Sequence, residues 1–529
     1  MDATTEDLRG VVHTLCEQRE LPVLVTDLIA NYLDHLDLFK MSTISRRLHA
    51  LAKTGIYRHI TVDLDGSSES TRKASLLFRT LLTSQPAMQA IRTLSLAGEP
   101  LQDWRRSCSI FQNNGSAEDR LRYRLPPELI ADLATFSQRE IELYNQAAAK
   151  TKLRSSAHEL PVWALYLQLL CSAPHVRGFS VTSDYFRSPG FRDALLDMTR
   201  QETLQQLQSC SMCLDLRFAG FGGDRHTIAV RDWDSELLMP LVAMPDLQSF
   251  AAVTSLKTEA VQQLRPGASM ITRLDLHHYQ IQEDDLDSFL AATPNLTYFK
   301  YHARSDYGWA GHLMTEGFEP GPKPDGEGCG LEPLFPALRH LSKLQELHLS
   351  HGFDEDSIHF PMAQPAEFEP VFRQKYQLSN LKQLHTLTIP YATLLGWSYK
   401  DCTWDWEQML PPSLRHITLT DDLQHYIYED KWTDEDLMPI ITDLVTCLSE
   451  RGNGTASFSL HLATIYGDFN KPVREKLSRI CEARGVRCTI KKRRADRAKE
   501  PEFVPPGGWG PRGGGNVRRR GRGRGRGQG

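Results

Sequence analysis

The sequence predicts an α/β fold in three parts: a short helical module near the N-terminus, a long irregular array of strands and helices, and a C-terminal tail. Three observations predict it. Residues 21–60 carry apolar residues at helical spacing. Between 91 and 490, short segments of alternating apolar and polar residues recur, separated by helix-like stretches. Residues 501–529, PEFVPPGGWGPRGGGNVRRRGRGRGRGQG, are of low complexity and too poor in apolar residues to bury a core, so a disordered tail is expected.

In the opening module, Leu24, Leu28, Ile29, Tyr32, Leu33 and Leu36 form one helical stripe. Asp37 is placed to cap a second helix, whose stripe is Leu38, Met41, Ile44, Leu48 and Leu51. Gly55 is placed to end it, and ITVDL continues the chain as an extended piece. A unit this small does not bury a sufficient core alone, so its apolar surplus calls for a partner or for the adjoining domain.

Leu21-Pro22, Ile29, Tyr32-Leu33, Asp37-Leu38, Ser42, Ile44-Ser45-Arg46-Arg47-Leu48 and Ile56-Tyr57-Arg58-His59-Ile60 resemble the F-box in the form common among fungal proteins. Two positions depart from that pattern: Leu24 stands where an acid is usual, and Ala30 is smaller than the usual aliphatic. The resemblance implies docking to the Skp-family adaptor of a cullin–RING ubiquitin ligase. Leu21, Pro22, Ile29, Leu33, Leu38, Ile44 and Leu48 would supply the apolar contacts, some of them holding the helices together instead. Each fully buried aliphatic side chain contributes roughly 1.5–3 kcal/mol. The alternative is a helical hairpin capping the next domain. Residues 1–20 are a lead-in and 21–65 the module. A second stretch, LPPELI at 125–130, copies the opening of the module but has no Asp-Leu or Ser-Arg-Arg-Leu after it, and reads as a proline-initiated helix.

From 66 to 490 the recurring piece is L-x-L, often with a leucine three places upstream. Examples are IRTLSL (91–96), VRGFSV (176–181), LDLRF (214–218), ITRLDL (271–276), LTYFKY (296–301), LQELHL (344–349), LHTLTI (384–389), LRHITL (414–419), FSLHL (458–462) and VRCTI (486–490). Helices are expected at 285–292, 435–451 and 472–485, the last closed by glycine. The order strand, connection, helix, strand resembles leucine-rich repeats. Spacing is irregular, however: Leu274 and Phe299 are 25 residues apart, Phe299 and Leu347 are 48 apart. The resemblance implies an irregular leucine-rich-repeat-like α/β solenoid, against another α/β array or two α/β domains. A helical insertion is expected near 100–170.

Long Gly-, Pro- and aromatic-rich loops are expected near 302–333, 351–375 and 396–412. Insertions in repeat arrays gather on one face, often the binding face. Tyr307, Trp309, Trp397, Trp404 and Trp406 are therefore candidate contacts to a protein target. The competing reading is that such rings pin a loop to its own body.

Charge divides the chain. Of 61 Lys/Arg and 66 Asp/Glu, residues 484–529 hold 15 bases against three acids, leaving 46 bases against 63 acids elsewhere. Lys491-Lys492-Arg493-Arg494 opens the basic region 491–529 and resembles nuclear-import clusters, though such runs also serve as solubilising or nucleic-acid patches. Arg512, Arg518, Arg519, Arg520, Arg522, Arg524 and Arg526 lie in RG/RGG-like sequence, a composition suited to phosphate neutralisation and base stacking. An RNA-associated scaffold is thus the second functional reading.

Ten scattered cysteines do not read as a disulfide framework. Cys210 and Cys213 form a lone CxxC, whose ordinary reading is two small buried residues near a strand. No P-loop, GxSxG or HExxH is present, so a non-catalytic subunit without a cofactor is expected. His277-His278 reads as a turn at a strand end, and the Asp-Asp pairs at 284–285 and 421–422 as caps or solvated turns. No run approaches a membrane span. The expected location is nuclear, cytoplasmic or both.

Overall fold

Leucine-like residues at a fixed spacing, Leu-x-x-Leu-x-Leu, build this molecule one strand at a time. The computed structural model describes, with interruptions, residues 38–98, 166–181, 195–212, 235–305, 331–353, 378–395, 405–420, 434–463 and 471–493. Its strands are β1 (His59–Leu64), β2 (Thr93–Gly98), β3 (Gly178–Val181), β4 (Ser209–Met212), β5 (Ser249–Thr254) and β6 (Arg273–His278). They continue as β7 (Tyr298–Ser305), β8 (Glu346–Phe353), β9 (Thr386–Pro390), β10 (His416–Thr420), β11 (Ser457–Ala463) and β12 (Arg487–Arg493). All twelve lie in one sheet in sequence order, each parallel to the next. The order never reverses, so this sheet lacks the switch point at which doubly wound sheets bind ligands.

One face of every strand is apolar. Leu94, Phe179, Cys210, Phe250, Leu274, Phe299, Leu347, Leu387, Ile417 and Phe458 stand side by side in register, and none is more than 3% exposed. Period-2 alternation puts the next inward residue two places on: Leu96, Val181, Met212, Ala252, Leu276, Tyr301, Leu349, Ile389, Leu419 and Leu460. Together they form one continuous core cluster.

The upstream leucine is set by a turn. The amides of Leu207, Leu247, Leu296, Leu344 and Leu384 each donate to the carbonyl three residues before, at 2.9–3.4 Å. This folds the apolar side chain under the next strand. At the N-terminal rim of the sheet, one carbonyl per strand then accepts two amides from its neighbour. Arg58 O takes Arg92 N and Thr93 N at 2.8 and 3.1 Å, and the pattern repeats at Arg92, Arg177, Gln208, Gln248, Thr272, Thr297, Gln345 and His385. Buried polar groups are thereby paired where the chain turns into each strand.

The described helices are α1 (Gln85–Ala90), α2 (Ser235–Val242), α3 (Thr258–Val261), α4 (Glu283–Ala292), α5 (Leu334–Ala337), α6 (Tyr391–Leu395), α7 (Trp406–Met409), α8 (Asp434–Gly452) and α9 (Lys471–Ala483). Helices α4, α8 and α9 fall where the sequence places them, and Gly485 adopts φ +69° after α9, a left-handed conformation suited to glycine. Two strands escape the sequence pattern, β4 and β5, and the segment 214–218 lies outside the described residues. The sheet also extends past the boundary drawn at 490, because β12 runs through Arg493, paired residue by residue with β11. Within 100–170, Tyr166, Leu167, Leu169 and Leu170 are helical. Tyr166 is fully buried, and its hydroxyl lies 3.0 Å from both Leu94 O and Ser180 O, joining β2 to β3.

Candidate binding surface

The same alternation that buries Leu274, Phe299 and Leu347 turns their neighbours to the opposite face. From β6 to β8 those neighbours are large and ionisable: Arg273, Asp275, His277, Tyr298, Lys300, His302, Glu346 and His348. Parallel register sets Asp275 beside Lys300 and Lys300 beside His348, with His277 beside His302 and His302 beside Ser350. Residues 25 and 48 positions apart thus become lateral neighbours.

Lys300 Nζ donates to Asp275 Oδ2 at 2.9 Å, and His277 Nε2 lies 3.0 Å from Asp275 Oδ1. Burial alone would raise the Asp275 carboxyl; the His277 and Lys300 contacts outweigh it and hold the group below its ordinary value. The His277 and His302 rings sit 5.1 Å apart, and His302 Nδ1 meets Ser350 Oγ at 2.7 Å. Arg273 lays its guanidinium over the Tyr298 ring, 3.6 Å from the centroid, a cation–π contact. Burial raises the Tyr298 hydroxyl to about 12 despite that cation. His348 Nδ1 meets Thr388 Oγ1 at 2.9 Å. From β9 to β12 the face mixes hydroxyls with bases: Thr386, Thr388, Thr418, Ser457, Ser459 and Thr489 stand in the same rows as His416, His461, Arg487 and Lys491. Among the described residues this face is therefore a strip of charged, imidazole and hydroxyl groups. Among the described residues no group of three or more His, Cys, Asp or Glu is arranged to hold a metal ion, and no helix is long and apolar enough to cross a membrane.

Histidines on this face tie stability to pH. His348 is pushed below its ordinary value of 6.5, first by burial, then by Lys300 and Arg273, with Glu346 opposing. His59 and His416 are lowered too, again chiefly by burial. As pH falls through 6.5, the unfolded chain takes up these protons before the folded one, so folding stability declines toward the folded-state values. Asp275 adds a loss in the same direction only below its ordinary 3.8. The melting temperature should hold between about pH 8 and 7 and fall between about pH 7 and 5. His348→Asn should flatten that decline; an equal slope in wild type and variant would refute the assignment.

Most residues singled out in the sequence lie elsewhere. Leu38 is helical, 5% exposed, and its side chain packs against Gly55, where an added Cβ would come within 3.1 Å. Leu21, Pro22, Ile29, Leu33, Ile44 and Leu48 lie outside the described residues, as do Tyr307, Trp309, Trp397 and Trp404. Trp406 begins α7 and is 4% exposed; its indole Nε1 donates to Asp443 of α8 at 2.9 Å. It pins its loop to the body, the competing reading of these tryptophans. Lys491, Lys492 and Arg493 belong to β12, opposite His461, Leu462 and Ala463. Arg494 and the RG-rich arginines at 512, 518, 519, 520, 522, 524 and 526 lie outside the described residues. Cys210 is buried in β4, and Cys213 is outside the described residues.

The sequence places His277 and His278 beyond a strand end; β6 includes both, and His277 joins the Asp275–Lys300 cluster. Asp284 and Asp285 fall in the first turn of α4, where carboxylates complement the helix dipole. The polar strip itself is carried in the sequence by the polar members of each alternating segment. The signal that marks β6–β8 is that, among the described strands, these three together put Arg, Lys, Asp, Glu and His in the outward places.

No family model matches this chain, and no curated protein matches it.

Proposed function

We propose that the chain is the substrate-receptor subunit of a cullin–RING ubiquitin ligase, with an F-box at 21–65 docking to the Skp-family adaptor and a leucine-rich-repeat-like solenoid presenting its polar strand face to a protein target. The observation that supports this reading is the parallel sheet that starts at His59, where the F-box-like residues end, and continues in sequence order, with a polar row opposite the core from β6 to β12. Successive copies of one Leu-x-x-Leu-x-Leu unit, each adding one strand, are what repeat arrays are made of. The irregular intervals between strands are compatible with that, since insertions change loops and leave the strand unit intact.

The receptor makes and breaks no bond. It holds a target lysine near a charged conjugating enzyme on the same scaffold, which turns an encounter into a proximity-driven reaction. RNA contact through the RG-rich tail is compatible with this role because it uses the opposite end of the chain. The receptor reading is favoured because the polar strip sets Asp275 and Glu346 among its bases and hydroxyls and is not the continuous basic track that nucleic acid requires.

Co-purification with the Skp adaptor tests the proposal. Wild type should recover the adaptor, and the double variant Pro22→Ala/Leu33→Asp should lose it, since a charge replaces an apolar contact. Equal recovery by both, at any level, would sink the reading.

A further inference from the structure

The last described strand and the helix before it share two thiols. Among the described residues, Cys210, Cys447, Cys481 and Cys488 are free cysteines. Cys481 lies in the last turn of α9, and Cys488 is the second residue of β12. Six residues separate them, and the chain reverses there through the left-handed Gly485. The turn is tied at its start: Cys481 O accepts Arg484 N at 3.1 Å and Val486 N at 2.9 Å. Register with Phe458 of β11 sets Cys488 in the apolar row, on the side of the sheet that α9 covers. Cys481 is fully buried in the core cluster, Cys488 packs against that cluster, and the two thiols share a hydrogen bond. Cys488 is half-buried, whereas Leu387, Ile417 and Phe458 of the same row are at most 1% exposed. The reason is its place: among the described residues no strand follows β12. The Cys447 thiol, on α8, faces Arg451, Glu450, Glu407 and Asp443 instead of a second cysteine.

We propose that Cys481 and Cys488 are a redox pair, which hydrogen peroxide closes into a reversible disulfide that fastens α9 to β12 and pins the last strand of the sheet. Cys488 reacts first. It is the less buried of the two, and the hydrogen bond from the Cys481 thiol holds its own thiol below the ordinary value. The same bond, with burial, pushes Cys481 up. Cys488 is thus the one that becomes a thiolate, the nucleophilic form. Its sulfur attacks one peroxide oxygen, the O–O bond breaks, and a sulfenic acid forms with release of one water. Cys481 Sγ then attacks Cys488 Sγ, the S–O bond breaks, and hydroxide leaves with the Cys481 proton as a second water. Two thiols are oxidised to one disulfide, and one peroxide is reduced to two waters. A dithiol reductant reverses the step by exchange. Closing the bond brings the sulfurs from hydrogen-bond distance to about 2 Å. A strand paired on one side only yields more readily to that shift than one held on both. In an array held by nearest-neighbour contacts, it is also the strand whose opening a covalent tie limits most.

The pair stands apart from the receptor role, and its test needs only the full chain. The protein is treated with hydrogen peroxide at a dose that oxidises its methionines, blocked with iodoacetamide and digested with trypsin. Cleavage after Arg479, Arg484, Arg487 and Lys491 puts the cysteines in separate peptides, 480–484 and 488–491. Mass spectrometry should find the two joined, lighter than their sum by two hydrogens, and apart again after dithiothreitol. Cys447→Ser should keep the joined species; Cys481→Ser and Cys488→Ser should each abolish it. Hydrogen exchange at the β12 amides should slow about tenfold or more in cross-linked wild type, and peroxide should leave it unchanged in Cys481→Ser. Recovery of both peptides alkylated overturns the pair, as does either one joined to a different cysteine or a link found only between two molecules on a non-reducing gel. Equal β12 exchange in oxidised and reduced wild type overturns the pinning.

Discussion

Replacing Phe299 with alanine is expected to destabilise the fold by about 3–5 kcal/mol, enough to consume much of the stability of an ordinary domain. Phe299 is fully buried in β7, in register between Leu274 of β6 and Leu347 of β8, with the Tyr301 ring 5.7 Å away. Its neighbours are fixed by the sheet spacing on both sides, so they have little freedom to collapse into the space that a truncated side chain leaves. Urea unfolding monitored by circular dichroism should show the midpoint falling without a change in slope. Thr388→Ala, on the polar face two strands away, serves as the comparison and should shift stability by less than about 1 kcal/mol. Similar losses from the two substitutions would mean that the apolar face is not the packed core described.

The second large effect is expected at Arg451, near the end of α8. Its guanidinium donates to three backbone carbonyls: Nη1 to Leu410 and Pro411 at 3.2 and 3.0 Å, and Nη2 to Trp406 at 3.1 Å. Trp406 opens α7, Leu410 and Pro411 begin the turn into β10, and the Trp406 indole reaches to Asp443 on the same helix as Arg451. Asp405 caps the start of α7, accepting the amides of Glu407 and Gln408 at 3.1 Å each. One side chain thus gathers three carbonyls, two of which also accept backbone amides: Trp406 O from Leu410 N and Pro411 O from Leu414 N, both at 3.1 Å. Arg451→Met keeps much of the aliphatic packing and removes every donor, and should lower stability by about 2–3 kcal/mol, since hydrogen bonds to a charged group are the stronger kind. Arg451→Lys should recover only a fraction, because a single ammonium does not reproduce the planar fork. A lysine variant as stable as wild type would show that charge, not geometry, holds the turn.

Much of the strand pattern can be read before any coordinates. LTYFKY, LQELHL, LHTLTI and LRHITL announce β7 to β10 because leucine, isoleucine or an aromatic fills each inward place. The pattern disappears at β4 and β5 because Cys210, Met212 and Ala252 occupy those places. All three are buried as thoroughly as leucine, yet none stands out in a hydropathy scan. The lateral relations of the polar face are illegible for a different reason. Asp275 pairs with Lys300 and His302 with Ser350 only because the strands align in parallel register across connections of unequal length, and no local rule states that alignment. Trp406 shows the converse: its setting in the sequence suggests an outward anchor, whereas its ring is the peg that fastens a loop.

The last strand also gives the basic run after 490 a second meaning. Among the described residues β12 pairs only with β11, and its other side carries no strand, an edge of the kind onto which another chain can add a strand. Exposed Lys491, with Lys492 and Arg493 next in sequence, puts positive charge along that edge. Two molecules approaching edge to edge would bring these cations together before a single backbone hydrogen bond formed. The cluster that looks like an address label in the sequence would thus also act as a guard against self-association.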